Sequence, residues 1–160
     1  MESQQKQLLV FTDGGCSGNP GPGGWAYILV LAGAGILAER WGAEMNTTNN
    51  RMELSAAVLA LEAVSADQTL KDCVITLYTD SQYVQKGITN WIQGWKRNGW
   101  RTSSKEPVKN QDLWLRLDQL AGQLAIEWRW IKGHAGNQYN ERVDRLTQTA
   151  IASVQKTGST

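Results

Sequence analysis

A chain of 160 residues with a formal net charge of +1 is one domain's worth of protein, long enough to bury most of an ordinary core. Its two cysteines, Cys16 and Cys73, have neither metal-ligand nor disulfide spacing, which argues against a thiolate metal site and fits a reducing compartment. The opening Met1–Gln7 has no signal-peptide core, and the longest uncharged apolar run, Trp25 to Leu37, is glycine-broken and too short to span a bilayer, so the expectation is a soluble, cytoplasmic monomer.

Leu8 to Thr12 is a short β-prone run ending at Asp13, a strand with an acid at its tip. Gly14 to Gly24, with six glycines and two prolines, reads as a tight loop rather than helix or strand. It lacks the G-x-G-x-x-G and Gly-Lys-Ser/Thr spacings, so a nucleotide cofactor is not expected, though its bare N–H groups could meet a phosphate or a nucleic-acid backbone. Trp25 to Leu31 and Ile36 to Trp41 predict two further strands, and three strands on short connections favour an antiparallel meander. Thr47, Thr48, Asn49 and Asn50 offer N-caps to a helix from about Thr48 to Ser65 that is apolar on nearly all sides and therefore buried on most of its circumference. Glu53, placed in its first turn, is a carboxylate at the rim of a core helix with no cation three or four residues on.

Cys73 to Thr79 is a continuous apolar run typical of a buried parallel strand, again ending on an acid, Asp80. Ser81 to Val84 starts a helix and Ile88 to Trp95 continues helical. Between Lys86 and Lys109 fall six of the sixteen basic residues but only one of the fifteen acids, together with three of the eight tryptophans. A basic patch on a mildly acidic body suggests a polyanionic partner held beside a site that itself repels anions. Asp112 to Leu120 predicts an amphipathic helix closed by Gly122, Leu124 to Ile131 the last strand, Lys132 to Tyr139 a loop, and Asn140 to Ala152 the last helix. The expected domain spans 1–152, with 153–160 a loose polar tail.

Asp13 and Asp80 end strands, and ligand sites of open α/β sheets collect at strand carboxyl ends. If those strands are parallel neighbours, Glu53 would face the same end, and Asp144, one turn into the last helix, could supply a fourth acid. Carboxylates gathered so closely repel unless a cation sits among them, and oxygen-only ligands suit Mg²⁺ or Mn²⁺ rather than zinc. Taken singly, each strand-end aspartate could equally be a cap or turn former. His134, between Gly133 and Gly136, reads either as a solvated loop histidine or as a proton shuttle.

The segments Thr12–Gly24, Thr47–Leu54, Thr79–Val84, Gly87–Ile92, Val108–Trp114, Lys132–Gly136 and Asn140–Asp144 resemble, in order, the motifs of bacterial type 1 ribonuclease H. The resemblance implies a five-stranded mixed sheet, the first three strands antiparallel and the last two parallel, with helices on both faces. It implies hydrolysis of the RNA strand of an RNA–DNA hybrid to 5′-phosphate and 3′-hydroxyl ends, with two Mg²⁺ or Mn²⁺ ions held by Asp13, Glu53, Asp80 and Asp144. His134 would assist proton transfer or product release. Cys16, Asn19, Asn49, Asn50 and Gln82 match positions that touch the hybrid's minor groove, and Thr48 with Asn19 falls where a DNA-strand phosphate is held. Lys86 to Arg101 resembles a basic protrusion, in which Trp91, Trp95 and Trp100 lie along the sugar–phosphate path and Lys96, Arg97 and Arg101 pair with phosphates. Helix packing is the competing use of these tryptophans.

Two departures stand out: Gly15 replaces a more usual serine, and Arg145-Leu146-Thr147 replaces an acidic or neutral residue, leucine and alanine. Arg145 could soften the local negative charge. The alternatives are another nucleotidyl-transfer enzyme on the same fold or a non-catalytic hybrid-binding module, and an intact acid set argues against the latter.

Overall fold

β1 (Gln7–Cys16) is the axis of the molecule: β2 (Gly21–Leu31) pairs with it antiparallel on one side and β4 (Val74–Thr79) parallel on the other. β3 (Gly35–Thr47) joins β2 antiparallel and β5 (Ala125–Trp130) joins β4 parallel, giving one five-stranded mixed sheet in the order β3-β2-β1-β4-β5. The computed structural model describes residues 6–131 and 137–157.

Because strand side chains alternate, β1 serves two layers. Leu8 and Val10 face α1 (Asn49–Ala66), whereas Phe11 faces α5 (Gln138–Thr157), where it stacks on Tyr78 of β4 at 4.8 Å. α1 buries Met52, Leu54, Ala56, Ala57, Val58, Ala60, Leu61 and Val64, so its predicted all-round apolar character is the signature of a central helix. Its second neighbour is α4 (Gln111–Gln123), whose Trp114, Leu117 and Leu120 close the same core. α4 runs one residue past Gly122, the expected stop. Between β4 and α4 the chain makes a helical run of α2 (Gln82–Lys86), a π-helical turn (Gly87–Trp91) and α3 (Ile92–Arg97). The widened turn sets Gly87 on Trp114, where a Cβ would fall 2.0 Å from the indole ring.

The glycine-rich stretch corrects the sequence reading. Most of residues 14–24 is strand, and only 17–20 separate β1 from β2. Gly18 serves the turn, at φ 78°, but Gly14 and Gly24 serve close approach: a Cβ on Gly14 would lie 2.3 Å from the Met52 carbonyl carbon, and one on Gly24 would lie 2.7 Å from Ala150 Cβ. Bare backbone lets α1 and α5 settle onto opposite faces of the same strands. Gly14→Ala must therefore push α1 off β1, and we expect it to cost about 1–3 kcal/mol or more, read as a lowered melting temperature. Unchanged melting would show that the approach is slack.

α5 also corrects an expectation. The segment read as a loose tail from Ser153 is helical as far as Thr157. Gln155 Nε2 donates to Ser17 Oγ at 2.7 Å, tying this last turn to the β1–β2 connection. At the sheet edge, Arg142 donates to both carboxylate oxygens of Glu39 in β3, one at 2.9 Å.

Candidate active site

The site forms where two parallel strands part. β1 and β4 are paired only from Gln7↔Val74 to Phe11↔Tyr78. Beyond that point β1 swings away with β2, opening a crevice at the carboxyl ends of the strands, the usual position of a site in such sheets. Asp13 lies in β1 just past the fork, within the strand rather than at its tip, and Asp80 directly follows the last residue of β4. Thr12 Oγ1 donates across the fork to the Tyr78 carbonyl at 3.2 Å, and Trp130 Nε1 donates to the Asp80 carbonyl at 3.0 Å.

Glu53 reaches the fork from α1. It sits in the second turn, not the first, because Thr48 caps the helix by accepting the Arg51 N–H at 3.3 Å. The Gly14 N–H donates to Glu53 Oε1, a contact that the missing side chain at Gly14 makes possible. Asp13, Glu53 and Asp80 each bring an oxygen within 4.8 Å of the others. Asp13 and Glu53 are 8% and 7% exposed, so the repulsion is poorly screened. Burial first, then the Asp80 and Asp144 charges, push the Asp13 carboxyl up to about 7, against the Thr147 hydroxyl and Gly14 N–H that favour its ionised form. Burial, followed by Asp13 and Asp80, holds Glu53 well above the ordinary carboxylate range. A dication relieves this strain, and three hard oxygen donors without a cysteine fit Mg²⁺ or Mn²⁺. Asp144 is near enough to raise Asp13 but lies outside the close trio. His134 lies outside the described residues.

An open cleft of about 380 Å³ runs along the acids, and Asn49, Asn50 and Gln82 line it together with Glu53 and Asp80. Asn19 Oδ1 accepts the Asn49 N–H at 3.1 Å, so Asn19 braces the start of α1 beside Thr48. Cys16 is brought near but not into the cleft, and its thiol donates to the Gly21 and Thr47 carbonyls at 3.2 and 3.3 Å. Tyr83, which the sequence reading passed over, lines the cleft and leads to the basic segment. Its hydroxyl accepts from Trp114 Nε1 at 2.9 Å, and its ring meets Trp91 at 5.8 Å.

There the tryptophans divide between the two expected uses. Trp91, Trp95, Arg97 and Arg101 line one open groove of about 440 Å³, whereas Trp100 packs against Trp95 and the core. Trp95 does both, packing edge-on to Trp114. Lys96 is turned away to Asp118 of α4, 3.3 Å distant. Thr147 and Trp130 were also missed. The only sequence signal for Thr147 was its position three residues after Asp144, on the same helix face.

The RNase H family model matches residues 5–152. The chain is similar to "Ribonuclease H" of Bradyrhizobium sp. (strain ORS 278), 56% identical over 150 residues, covering 94% of this chain and 93% of that one. It is 54% identical to "Ribonuclease H" of Paracidovorax citrulli (strain AAC00-1), over 91% of this chain and 94% of the relative. Among solved structures it resembles LC9-RNase H1, a type 1 RNase H with the type 2 active-site motif, at TM-score 0.80 and 33% identity, over 96% of this chain and 75% of that one.

Proposed function

This chain belongs to the ribonuclease H family, and from that premise we propose that it cuts the RNA strand of RNA–DNA hybrids by a divalent-metal-dependent mechanism. The products are 5′-phosphate and 3′-hydroxyl ends. The observation that carries the reading is the convergence of Asp13, Glu53 and Asp80 at the parting of β1 and β4.

Asp13, Glu53, Asp80 and, from α5, Asp144 hold the metal, with Mg²⁺ favoured over Mn²⁺. Divalent ions at such a site supply activation of the attacking water and charge neutralisation at the leaving 3′-oxygen. The chain's own groups do the rest. Gly14 N–H and Trp130 Nε1 fix the acid-bearing elements. Asn49, Asn50 and Gln82 meet the minor groove, where contact with 2′-hydroxyls distinguishes RNA from DNA. Asn19 and Thr48 seat a DNA-strand phosphate, and His134 moves a proton or helps product leave. The protein acts as a single domain over 1–152, as a cytoplasmic monomer. No described helix is long and apolar enough to cross a membrane.

Matched RNA–DNA, RNA–RNA and DNA–DNA duplexes, each with Mg²⁺ and with a chelator, test this directly. Cleavage confined to the hybrid and lost on chelation is expected, and equal cleavage of all three would sink it. Replacing Lys96, Arg97 and Arg101 together with alanine should raise KM and flatten the salt dependence of hybrid binding. Because Lys96 already pairs with Asp118, the log–log slope should fall by about 2 rather than 3. An unchanged slope would mean that the grip lies elsewhere.

A further inference from the structure

Asn49 borders two depressions. One is the catalytic cleft; the other is a recess of about 400 Å³ between the β1–β2 connection and α5. Gly15 opens this recess. A Cβ there would point at Ile151 Cδ1 and Thr147 Cγ2, at 3.5 and 3.7 Å, so a side chain at this position would occupy space now left clear. Ile151 gives the recess an apolar patch, and Gln148 and Gln155 on α5 face Cys16, Ser17 and Asn49 across it. No charged side chain among the described residues lines it.

That chemistry selects the ligand. A phosphate calls for cations or a fork of guanidinium donors, and here it would also stand near the acid cluster, two residues from Asp13. A ribose has a face of C–H groups and a 2′-hydroxyl that both donates and accepts. A carboxamide answers that hydroxyl with both kinds of group. Gln155 spends one N–H on Ser17, which fixes the amide at the rim and leaves it an oxygen and a second N–H for other partners. It sits in the last turn of α5, two turns on from Gln148, so one helix supplies the whole of this wall of the recess.

We propose that the recess between the β1–β2 connection and α5 is a ribose subsite for a nucleotide flanking the cleavage position on the RNA strand, with Gln148 and Gln155 recognising its 2′-hydroxyl. The inference rests on the hybrid-nuclease reading and extends its substrate contacts past Asn49.

The test uses DNA duplexes in which one strand carries a short run of ribonucleotides, so that the register is fixed, with each ribose in turn replaced by 2′-deoxyribose. Binding is measured by fluorescence anisotropy in chelator, and cleavage with Mg²⁺. One flanking position should weaken wild-type binding by roughly 2–10-fold when deoxy, the range of one net hydrogen bond. Gln148→Ala with Gln155→Ala should weaken the all-ribose duplex by a similar factor and be indifferent to deoxy at that position alone. Gln148→Ala by itself leaves the Gln155–Ser17 tie in place and should show the same selective indifference in smaller measure. Losses that simply add at every position, or a double variant with wild-type affinity, would overturn the subsite. If the wild-type protein ignores ribose altogether, the hybrid-nuclease reading fails instead.

Discussion

Asp13→Asn reduces hybrid cleavage by at least about a thousandfold while hybrid binding in chelator is kept or tightened. Charge stabilisation by a bound dication is worth several kcal/mol of barrier, and each 1.36 kcal/mol is tenfold in rate. Asp13 is the residue through which that stabilisation is most exposed to loss. It is 8% exposed, it shares the close trio with Glu53 and Asp80, and Asp144 acts on it as well. The asparagine keeps the shape and most of the polar contacts but removes a ligand charge. Binding moves the other way, because the substitution takes one negative charge from beneath the phosphates. Single-turnover cleavage and anisotropy on the same hybrid separate the two effects. A variant that cuts at the wild-type rate would remove Asp13 from the chemistry, and one that neither cuts nor binds would place it in the substrate grip instead.

How far the site could be read in advance depended on whether its signal was local. α1 and β4 were legible because their apolar runs have only one comfortable home, a surrounded helix and a two-faced strand. Asp80 was legible as the acid that ends β4. Asp13 was found for a partly mistaken reason, since β1 does not end there; its partner strand does. Residues 14–24 misled because glycine commonly marks a turn, and nothing within the stretch says that Met52 and Ala150 will press against it. The end of α5 was hidden for a related reason. Ser153, Gln155 and Thr157 look like tail residues by composition, and the tie from Gln155 to Ser17 spans most of the chain. The basic segment was legible as charge but not in its division of labour. Which cation faces the groove and which faces Asp118 is decided by α4, a separate helix.

The second large effect is on stability, and its sign is opposite to that of an ordinary salt-bridged carboxylate. Asp13 has its carboxyl raised from 3.8 to about 7 in the folded chain, so the native state holds a proton that the unfolded chain has already lost. Stability is greatest below the unfolded value and is lost as pH rises from about 4 through about 7. Glu53 shifts in the same direction and adds to the loss. At 1.36 kcal/mol for each unit, Asp13 alone accounts for on the order of 4 kcal/mol between these limits. For a chain of this size that is about 10 °C of melting temperature. The lowered carboxyls, Glu39 beside Arg142 and Asp112 beside Arg51, act in acid below this window and do not mask it. In chelator the protein should therefore melt lower at pH 8 than at pH 5. Mg²⁺ should restore most of the difference at pH 8 and do little at pH 5, where the protons held by Asp13 and Glu53 must leave before an ion can enter. Asp13→Asn should flatten the pH dependence and blunt the response to Mg²⁺ together, since both arise from the same crowded charges. A metal-free melting temperature that stays level or climbs from pH 5 to pH 8 would mean that the three carboxylates do not crowd one another as the fork between β1 and β4 requires.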